Sequence, residues 1–206
     1  MTDQRLREGL AVGYGGLWLA LAVAPLDRGD WALENLLVVA FVAILWRTGA
    51  WLSLSRASFL CILAFLCLHA VGAHYTYSLV PYDRWAEALT GSTLNGMLGF
   101  ERNHYDRLVH LAYGLLLTAP IREILPPTDR IGTAWRLFLP VAVVLSLSAA
   151  YEILEWAAAA TLGGEIGIAY VGAQGDVWDA EKDMALATAG ALLTSALAIV
   201  SERLRA

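Results

Sequence analysis

Charged side chains are scarce in this sequence. Only 16% of its 206 residues are charged and 58% are hydrophobic, whereas soluble domains carry roughly 25% charged residues. Lysine occurs once, at Lys182, and the lack of any basic run excludes the usual sequence signature of nucleic-acid binding. Cysteine occurs twice, at Cys61 and Cys67, six residues apart in one apolar run. On a helix the two thiols would point to opposed faces, so they cannot form a disulfide with each other.

Long uncharged runs of apolar residues exclude a chain folded in water, because nearly all of these residues would have to be buried. A helix that crosses a bilayer needs about 17–25 mostly apolar residues. We predict membrane-spanning helices at about residues 10–26, 31–46, 58–75, 103–121, 135–162 and 178–200. Tryptophans mark many of these ends, as expected for indoles at a membrane interface. The sequence thus predicts one all-α domain, residues 1–206, folded as a polytopic membrane helical bundle of about six transmembrane helices.

The orientation follows from the distribution of Lys and Arg, which accumulate on the cytoplasmic side of membrane proteins. With the N-terminus inside, nine basic residues lie on the inner side: Arg5, Arg7, Arg47, Arg56, Arg122, Arg130, Arg136, Arg203 and Arg205. Five lie on the outer side: Arg28, Arg84, Arg102, Arg107 and Lys182. We therefore expect both termini in the cytoplasm. Residues 22–24 superficially fit a signal-peptidase site, but Pro25 disfavours cleavage, so we expect the first helix to be retained.

Ionisable residues concentrate toward the outer side of the predicted bundle. All four histidines lie at the outer ends of the third and fourth helices: His69, His74, His104 and His110. Carboxylates occur at the matching depth of the fourth, fifth and sixth helices: Asp106, Glu152, Glu155, Asp176, Asp179 and Asp183. An unpaired acid in the middle of a bilayer costs about 2.5–3.5 kcal/mol. Such residues are therefore expected to face the bundle interior, where they pair, bind an ion or line a polar cavity.

Imidazole combined with several carboxylates suits a divalent transition metal such as zinc, iron or manganese. The predicted metal ligands are His69, His74, His110, Glu152, Asp176 and Asp183. The step from Glu152 to Glu155 resembles the way helical bundles hold metals between helices, although no closely spaced zinc motif occurs. His69 and His74 are about 140° apart on a continuous helix. Both can join one site only if the helix unwinds before His74.

The other polar residues of the outer side are candidates for catalysis and for substrate binding. The candidate catalytic residues are Glu155, Asp179 and Asp106, with Glu155 or Asp179 as the general base. The candidate substrate-binding residues are Arg102, Asn103, Arg107, Tyr77 and Gln174, since arginines suit an anionic head group. The two arginines could instead balance the carboxylates in a salt-bridge network, and the sequence does not separate the two roles. A structural interpretation stays open for several of these, because an aspartate near a helix N-terminus stabilises the helix in any case.

Five ordered motifs between residues 31 and 190 carry a resemblance to a known family. They are HAVGAHYTY at 69–77 with PY at 81–82, RNHYDRLVH at 102–110, PIRE at 120–123, YEILEW at 151–156 and GAQGDVWDAEKDM at 172–184. Together they resemble the YjdF-like family of bacterial inner-membrane proteins, a domain of unknown function. The resemblance implies a multi-pass protein of the bacterial inner (cytoplasmic) membrane. It supplies no activity, and the first helix carries no matching motif.

Functions of different classes fit these observations. The first hypothesis is a metal-dependent, hydrolase-like membrane enzyme that acts on a lipid or lipid-linked substrate at the outer leaflet. The second is a proton- or cation-coupled transporter or sensor that uses the same acids as a relay. Its weakness is that the inner halves of the helices are almost free of ionisable groups. A structural or partner-binding protein is the third, and the sequence leaves the substrate and the oligomeric state open.

Overall fold

The computed structural model describes residues 3–125, 132–162 and 173–205, and these residues form helices without any strand. The described helices are α1 (Asp3–Leu21), α2 (Arg28–Thr48), α3 (Ala50–Ser53), α4 (Arg56–His74), α5 (Tyr82–Thr90), α6 (Leu94–Leu98), α7 (Tyr105–Ile124), α8 (Thr133–Leu162) and α9 (Asp179–Arg205). Two residues used above, Arg130 in the count of basic residues and Gly172 in the last family motif, lie outside the described residues.

Four of the described helices are long and apolar enough to cross a membrane, namely α2, α4, α8 and α9. The prediction of an all-α membrane bundle is confirmed to this extent. Helices α1 and α7 have 19 and 20 residues, similar to α4 with 19, but they carry more charge. In α7, Asp106 and Arg107 lie in the first turn and Arg122 and Glu123 in the last. Charge at the two ends, rather than length, separates α7 from the four apolar helices.

The segment between α4 and α7, which lies between two of the predicted spans, contains the short helices α5 and α6. Thr93 caps α6 by accepting the Gly96 amide at 3.1 Å. Gly91 and Gly99 end α5 and α6 with φ of 76° and 70°, a left-handed conformation that glycine adopts at little steric cost. Neither helix contains an apolar run of spanning length, which is why the hydrophobicity pattern gave no sign of them.

Helices α7 and α9 pack with their backbones in contact. Gly114 of α7 faces Ala187 of α9, and a Cβ atom on Gly114 would collide with the Ala187 carbonyl oxygen. Gly190 faces α7 in turn, where a Cβ atom would lie 2.7 Å from the Leu111 carbonyl oxygen. Ala187 and Ala191 are fully buried in this contact. Small residues allow helices to approach this closely in membranes, where van der Waals packing drives their association.

Contacts between helix termini define two ends of the bundle. At the end that we call the N-terminal end, Arg7 donates to the carbonyl oxygens of Trp51 at 2.9 Å and Leu54 at 2.7 Å. At the opposite end, which we call the acidic end, His74 of α4 bonds the Leu21 carbonyl oxygen of α1 at 2.7 Å. Helices α1, α2 and α4 therefore alternate in direction, and the same holds for α7, α8 and α9.

Polar contacts tie α7 to its neighbours at the N-terminal end. Arg122 pairs with Glu202 of α9 at 3.0 Å, and Arg136 of α8 contacts the same carboxylate. Glu123 accepts from the Ser55 hydroxyl, before α4, at 2.6 Å. The last two residues of the PIRE motif thus connect α7 to three other parts of the bundle, which gives this motif a structural role.

Candidate functional site

Three side chains from α7 and α9 form a compact group at the acidic end. Asp106, His110 and Asp183 each offer one ligand atom, and the three atoms lie within 4.8 Å of one another. The exposed fraction is 9% for His110 and 2% for Asp183. We call these three residues the ligand group. Two carboxylates and one imidazole form a donor set that suits zinc, iron or manganese.

Helix packing explains why the ligand group forms. Asp106, His110 and Gly114 recur every four residues on α7, and Asp183 and Ala187 do so on α9, so each series follows one helix face. The backbone contact between Gly114 and Ala187 lies one turn from His110 and from Asp183. This contact therefore holds the Asp183 carboxylate opposite His110. No local spacing in the sequence encodes the group, because it depends on how α7 and α9 pack.

Glu152 of α8 approaches the ligand group from a third helix. Its Oε1 lies 3.6 Å from His110 Nε2, and Asp106 Oδ1 lies 3.5 Å from the same nitrogen. Asp183 Oδ1 and Glu152 Oε1 are buried, and neither has a hydrogen-bond partner among the described residues. Buried polar atoms are normally satisfied. These two oxygens are therefore positioned to contact a cation or to carry a proton.

Acids outnumber cations around the ligand group. Eight carboxylates of α2, α7, α8, α9 and the turn before α9 are buried or half-buried at the acidic end: Asp30, Glu34, Asp106, Glu152, Glu155, Asp176, Asp179 and Asp183. The cations in contact with them are Arg102, Arg107 and Lys182. Buried charge is costly unless it is paired. The surplus acids thus require protons or a bound cation.

The predicted substrate-binding arginines are engaged in ion pairs. Arg102 contacts Asp179 at 2.6 Å, and Arg107 contacts Asp179 at 2.8 Å and Asp176 at 2.7 Å. Both guanidinium groups contact Oδ1 of Asp179, and two adjacent positive charges favour its anionic form and weaken it as the general base expected from the sequence. The two arginines likewise have carboxylate partners within the protein. An anionic head group would have to compete with those carboxylates.

Asp176, a predicted metal ligand, lies in the turn before α9 and outside the ligand group. Lys182 Nζ lies 2.7 Å from its Oδ2, and the Trp178 amide donates to its Oδ1 at 3.1 Å. These two contacts, with a further one from Arg107, lower the pKa of Asp176 well below its usual range. Asp176 is held as the anionic centre of an ion-pair cluster, which accounts for its position without a metal.

Asn103 and Gln174, two predicted substrate-binding residues, bond to each other. The Asn103 amide donates to Gln174 Oε1 at 3.1 Å, and Gln174 Nε2 donates to the Asn103 carbonyl oxygen at 3.0 Å. The side chain of Asn103 donates to the Val80 carbonyl oxygen at 2.9 Å. This reciprocal pair joins the segment before α7 to the turn before α9. Its role in the structure is to align the two helices that supply the ligand group.

His69 has hydrogen bonds on both ring nitrogens, in contrast to its expected role as a metal ligand. Its Nε2 faces the Glu34 carbonyl oxygen at 3.3 Å and must donate there, so Nδ1 accepts from the Tyr77 hydroxyl at 2.5 Å. Burial raises the pKa of Tyr77 well above its usual value, which keeps this hydroxyl protonated. Tyr77, expected to bind substrate, packs its ring against Gly72 and orients His69.

His74 lies outside the ligand group. Helix α4 continues to His74 without unwinding, so the condition under which His69 and His74 could share a site is not met. The Nδ1 atom of His74 bonds the Leu21 carbonyl oxygen, and its ring packs edge-on against Tyr75. The structure gives His74 a role in joining α4 to α1, rather than the predicted role of a ligand.

Two acids of α2 also belong to the acidic end, although they were not among the predicted site residues. Glu34 is 3% exposed and Asp30 is 5% exposed. The Tyr151 hydroxyl donates to Glu34 Oε2 at 2.9 Å. Glu155, a predicted general base, lies close enough to Glu34 and Glu152 for the carboxylates to repel one another when charged. The signal for Glu34 was available, because an ionisable residue within an apolar span usually faces the bundle interior.

A cavity of about 350 Å³ extends from the ligand group into the bundle. Its polar end is lined by Asp106, His110, His69, Tyr77 and Tyr151. Farther along, the lining is almost entirely apolar and includes Val38, Phe41, Ile62, Leu66, Leu117 and Ile121. A ligand in this cavity would meet carboxylate and imidazole at one end and hydrocarbon along the remainder.

A bundle of apolar helices with buried acids and an imidazole at one end is the architecture of a multi-pass integral membrane protein. The chain belongs to the family described as "Predicted membrane protein (DUF2238)", which matches residues 7–203. It is similar to the "Inner membrane protein YjdF" of Escherichia coli (strain K12), with 34% identity over 169 residues that cover 82% of this chain and 77% of that protein. No solved structure matches the chain. The resemblance carried by the five motifs is confirmed, and the chain is a protein of the bacterial inner membrane.

Proposed function

We propose that this protein is a metal-dependent membrane enzyme that hydrolyses a lipid or lipid-linked substrate at the acidic end of the bundle. The observation that carries the proposal is the ligand group of Asp106, His110 and Asp183, whose ligand atoms lie within 4.8 Å of one another. The buried Oδ1 of Asp183 also supports it, because this atom has no hydrogen-bond partner among the described residues and its ion pair with Arg107 Nε is long, at 3.9 Å. A buried carboxylate that is incompletely paired is costly.

Each nearby residue has a distinct role in this proposal. Asp106, His110 and Asp183 are the metal ligands, and Glu152, at 3.6 Å from His110, completes the donor set. A divalent ion held there would supply Lewis acidity and lower the pKa of a bound water toward neutrality. Glu155 lies one turn from Glu152 on α8 and is the proposed general base, which would accept a proton from such a water. Asp179 is not assigned this role, since Arg102 and Arg107 occupy it.

Metal analysis of the purified protein tests the proposal. After zinc, iron and manganese are supplied, we expect about one equivalent of one of them in the wild type and about a tenth of that in His110→Ala and Asp183→Asn. His104→Ala is the matched control, because this histidine lies at the same end and stacks on Phe100 outside the ligand group. A wild-type protein without bound transition metal overturns the proposal.

Six membrane spans with both termini in the cytoplasm are part of the same proposal. Helices α1 and α7 pack against α4, which is itself a candidate span. In the sequence, nine of the fourteen basic residues fall on the inner side when the N-terminus is placed inside. This orientation directs the acidic end outward. Alkaline phosphatase fused after residue 91 should be active and a fluorescent protein fused after residue 206 should fluoresce. The reverse pattern excludes this topology.

A proton or cation relay is the second candidate. Buried carboxylates continue from Asp183 across α8 to Glu34 and Asp30 of α2, as in proteins that move protons. Against it, the cavity is apolar from Leu66 to Ile121 and offers no charged step toward the N-terminal end. Proton flux into liposomes that depends on Glu34 or Glu152 would favour the relay over the enzyme.

A further inference from the structure

The cavity beside the ligand group is elongated along α7. Its lining follows α7 from Asp106 to Ile124, which is eighteen residue steps or roughly 27 Å at 1.5 Å per residue. Its volume is about 350 Å³. The length and the mostly apolar lining match one extended hydrocarbon chain.

The polarity of the cavity is directional. Asp106, His110 and Tyr151 lie at one end, whereas the lining beyond Ser148 is hydrocarbon as far as Ile124. A polar ligand would not be stabilised by the apolar part of the lining. An amphiphile can contact the polar end with its polar group and the apolar part with its hydrocarbon chain. The polar part of such a ligand would lie at the ligand group. Its chain would run toward the N-terminal end.

The cavity is open on the side between α2 and α8. These two helices make few contacts with each other, and both contribute to the lining. Leu37 of α2 and Leu147 and Leu154 of α8 line the cavity and are still 40%, 54% and 49% exposed. Both helices are candidate spans, so their exposed leucines face the hydrocarbon of the bilayer. The opening therefore leads to lipid and not to water.

We infer that this cavity, the chain slot, holds one acyl chain of a membrane lipid that enters from the bilayer between α2 and α8. The inference deepens the proposed function and rests on it for the chemistry, because it names the substrate class as an acyl lipid whose polar end reaches Asp106 and His110. The binding of the chain itself depends on the apolar lining alone. The bond that is hydrolysed is then one close to the head group, since only that end of the lipid meets carboxylate and imidazole.

Photo-crosslinking with single-chain lysophosphatidylcholine probes tests the chain slot. One probe carries a diazirine near the carbonyl of its acyl chain, and the other carries it near the methyl end. In nanodiscs of wild-type protein, we expect the first probe to label residues near Tyr151 and the second to label residues near Ile121 and Leu45. Labelling at the same depth by both probes, or only on the outer faces of the bundle, overturns the inference.

A blocked variant provides the second measurement. Leu117 is buried in the middle of the slot, so Leu117→Trp should reduce labelling by the methyl-end probe about tenfold, which corresponds to about 1.4 kcal/mol of binding. Leu193→Trp is the matched control, because Leu193 is 54% exposed on α9 and does not line the slot. Equal labelling of Leu117→Trp and Leu193→Trp by the methyl-end probe contradicts the chain slot. If Leu117→Trp does not fold, the positions that the two probes label in the wild type test the inference.

Failure of the slot and failure of the enzyme give different results. The labelling is repeated on wild-type protein treated with EDTA and on His110→Ala. Labelling that persists after EDTA treatment supports the chain slot, because the apolar lining alone then binds the chain. Slot labelling in a wild-type protein that binds no transition metal when metal is supplied supports the chain slot and removes the hydrolase. A protein that binds metal but shows no depth-dependent labelling retains the metal site and loses the acyl lipid as its substrate.

Discussion

Asp183 of α9 and His110 of α7 offer ligand atoms within 4.8 Å of each other, and a glycine one turn away makes this approach possible. Gly114 lies in backbone contact with Ala187, where any side chain would collide. The two helices are therefore closest directly below the ligand group. The ligand group at the acidic end therefore depends on a packing contact between Gly114 and Ala187, neither of which has a polar side chain.

Gly114→Leu should separate α7 from α9 and disrupt the ligand group. Overpacking of this kind costs about 1–3 kcal/mol, so we expect a lower Tm in detergent and loss of bound metal together. Gly16→Leu is the control, since a Cβ atom at Gly16 of α1 would meet nothing within 4 Å. If Gly114→Leu keeps both its metal and its Tm, the contact does not position Asp183.

Asp183→Asn should change stability with opposite signs in the presence and absence of metal. Without metal, the buried Oδ1 has no hydrogen-bond partner among the described residues and only a long ion pair with Arg107 Nε, at 3.9 Å. Because acids outnumber cations around it, removal of its charge should raise Tm. With metal, the loss of a ligand should lower Tm relative to the wild type, because a ligand that binds only the folded state stabilises it. Thermal unfolding with EDTA and with added zinc measures both. A shift of the same sign and size in the two conditions argues against a metal at this position.

Tyr77→Phe should destabilise the protein without loss of metal. The substitution leaves Nδ1 of His69 without its donor, and an unsatisfied buried acceptor costs about 1–3 kcal/mol. Tm and metal content, measured on the same preparation, separate a structural role from a ligand role. If metal is lost while Tm is retained, His69 belongs to the metal site as its sequence position predicts.

Lys182→Met should lower stability at neutral pH by an amount that disappears in acid. The pKa of Asp176 is lowered in the folded protein by Lys182 and the Trp178 amide, so its contribution is complete above the unfolded value near 3.8 and is lost as pH falls through the lowered folded value. The gap in Tm to the wild type should be constant from pH 7 to about pH 4 and close below that. Lys182→Arg, which keeps the charge, should show no gap. A gap that persists unchanged into strong acid shows that the ion pair with Asp176 is not its source.

Apolar runs in the sequence predicted the long helices because a segment that lies in lipid must consist mostly of apolar residues. The helix at 58–75 was observed as Arg56–His74, and the helix at 135–162 as Thr133–Leu162. The first helix begins earlier than predicted, at Asp3, because Arg7 is held by Trp51 and Leu54 and extends the helix beyond its apolar part. Helix α7 appears at the predicted position, although its terminal charges separate it from the four most apolar helices.

The sequence predicted the depth of the candidate site better than it predicted which residues form the site. The sequence indicated that acids and histidines share the acidic end, but the choice of partners depends on rotation and packing of helices. The sequence left open whether Arg102 and Arg107 pair with the acids or bind a lipid phosphate, and both are ion-paired in the structure. His69 matched the chemistry of a ligand and is bonded to Tyr77 and a carbonyl oxygen. Among the described residues, Asp106, His110 and Asp183 form the ligand group, and the contact of Gly114 with Ala187 holds Asp183 close to the other two.

The opening between α2 and α8 has a consequence for how any assay of this protein must be set up. A molecule that reaches the cavity through that gap first dissolves in the bilayer, so its effective concentration is its mole fraction among the lipids and not its concentration in the buffer. Adding more detergent or more vesicle lipid would then dilute the substrate even though its total amount is unchanged. Saturation curves measured at different amounts of detergent or lipid should coincide only when activity is plotted against the mole fraction of substrate among the lipids.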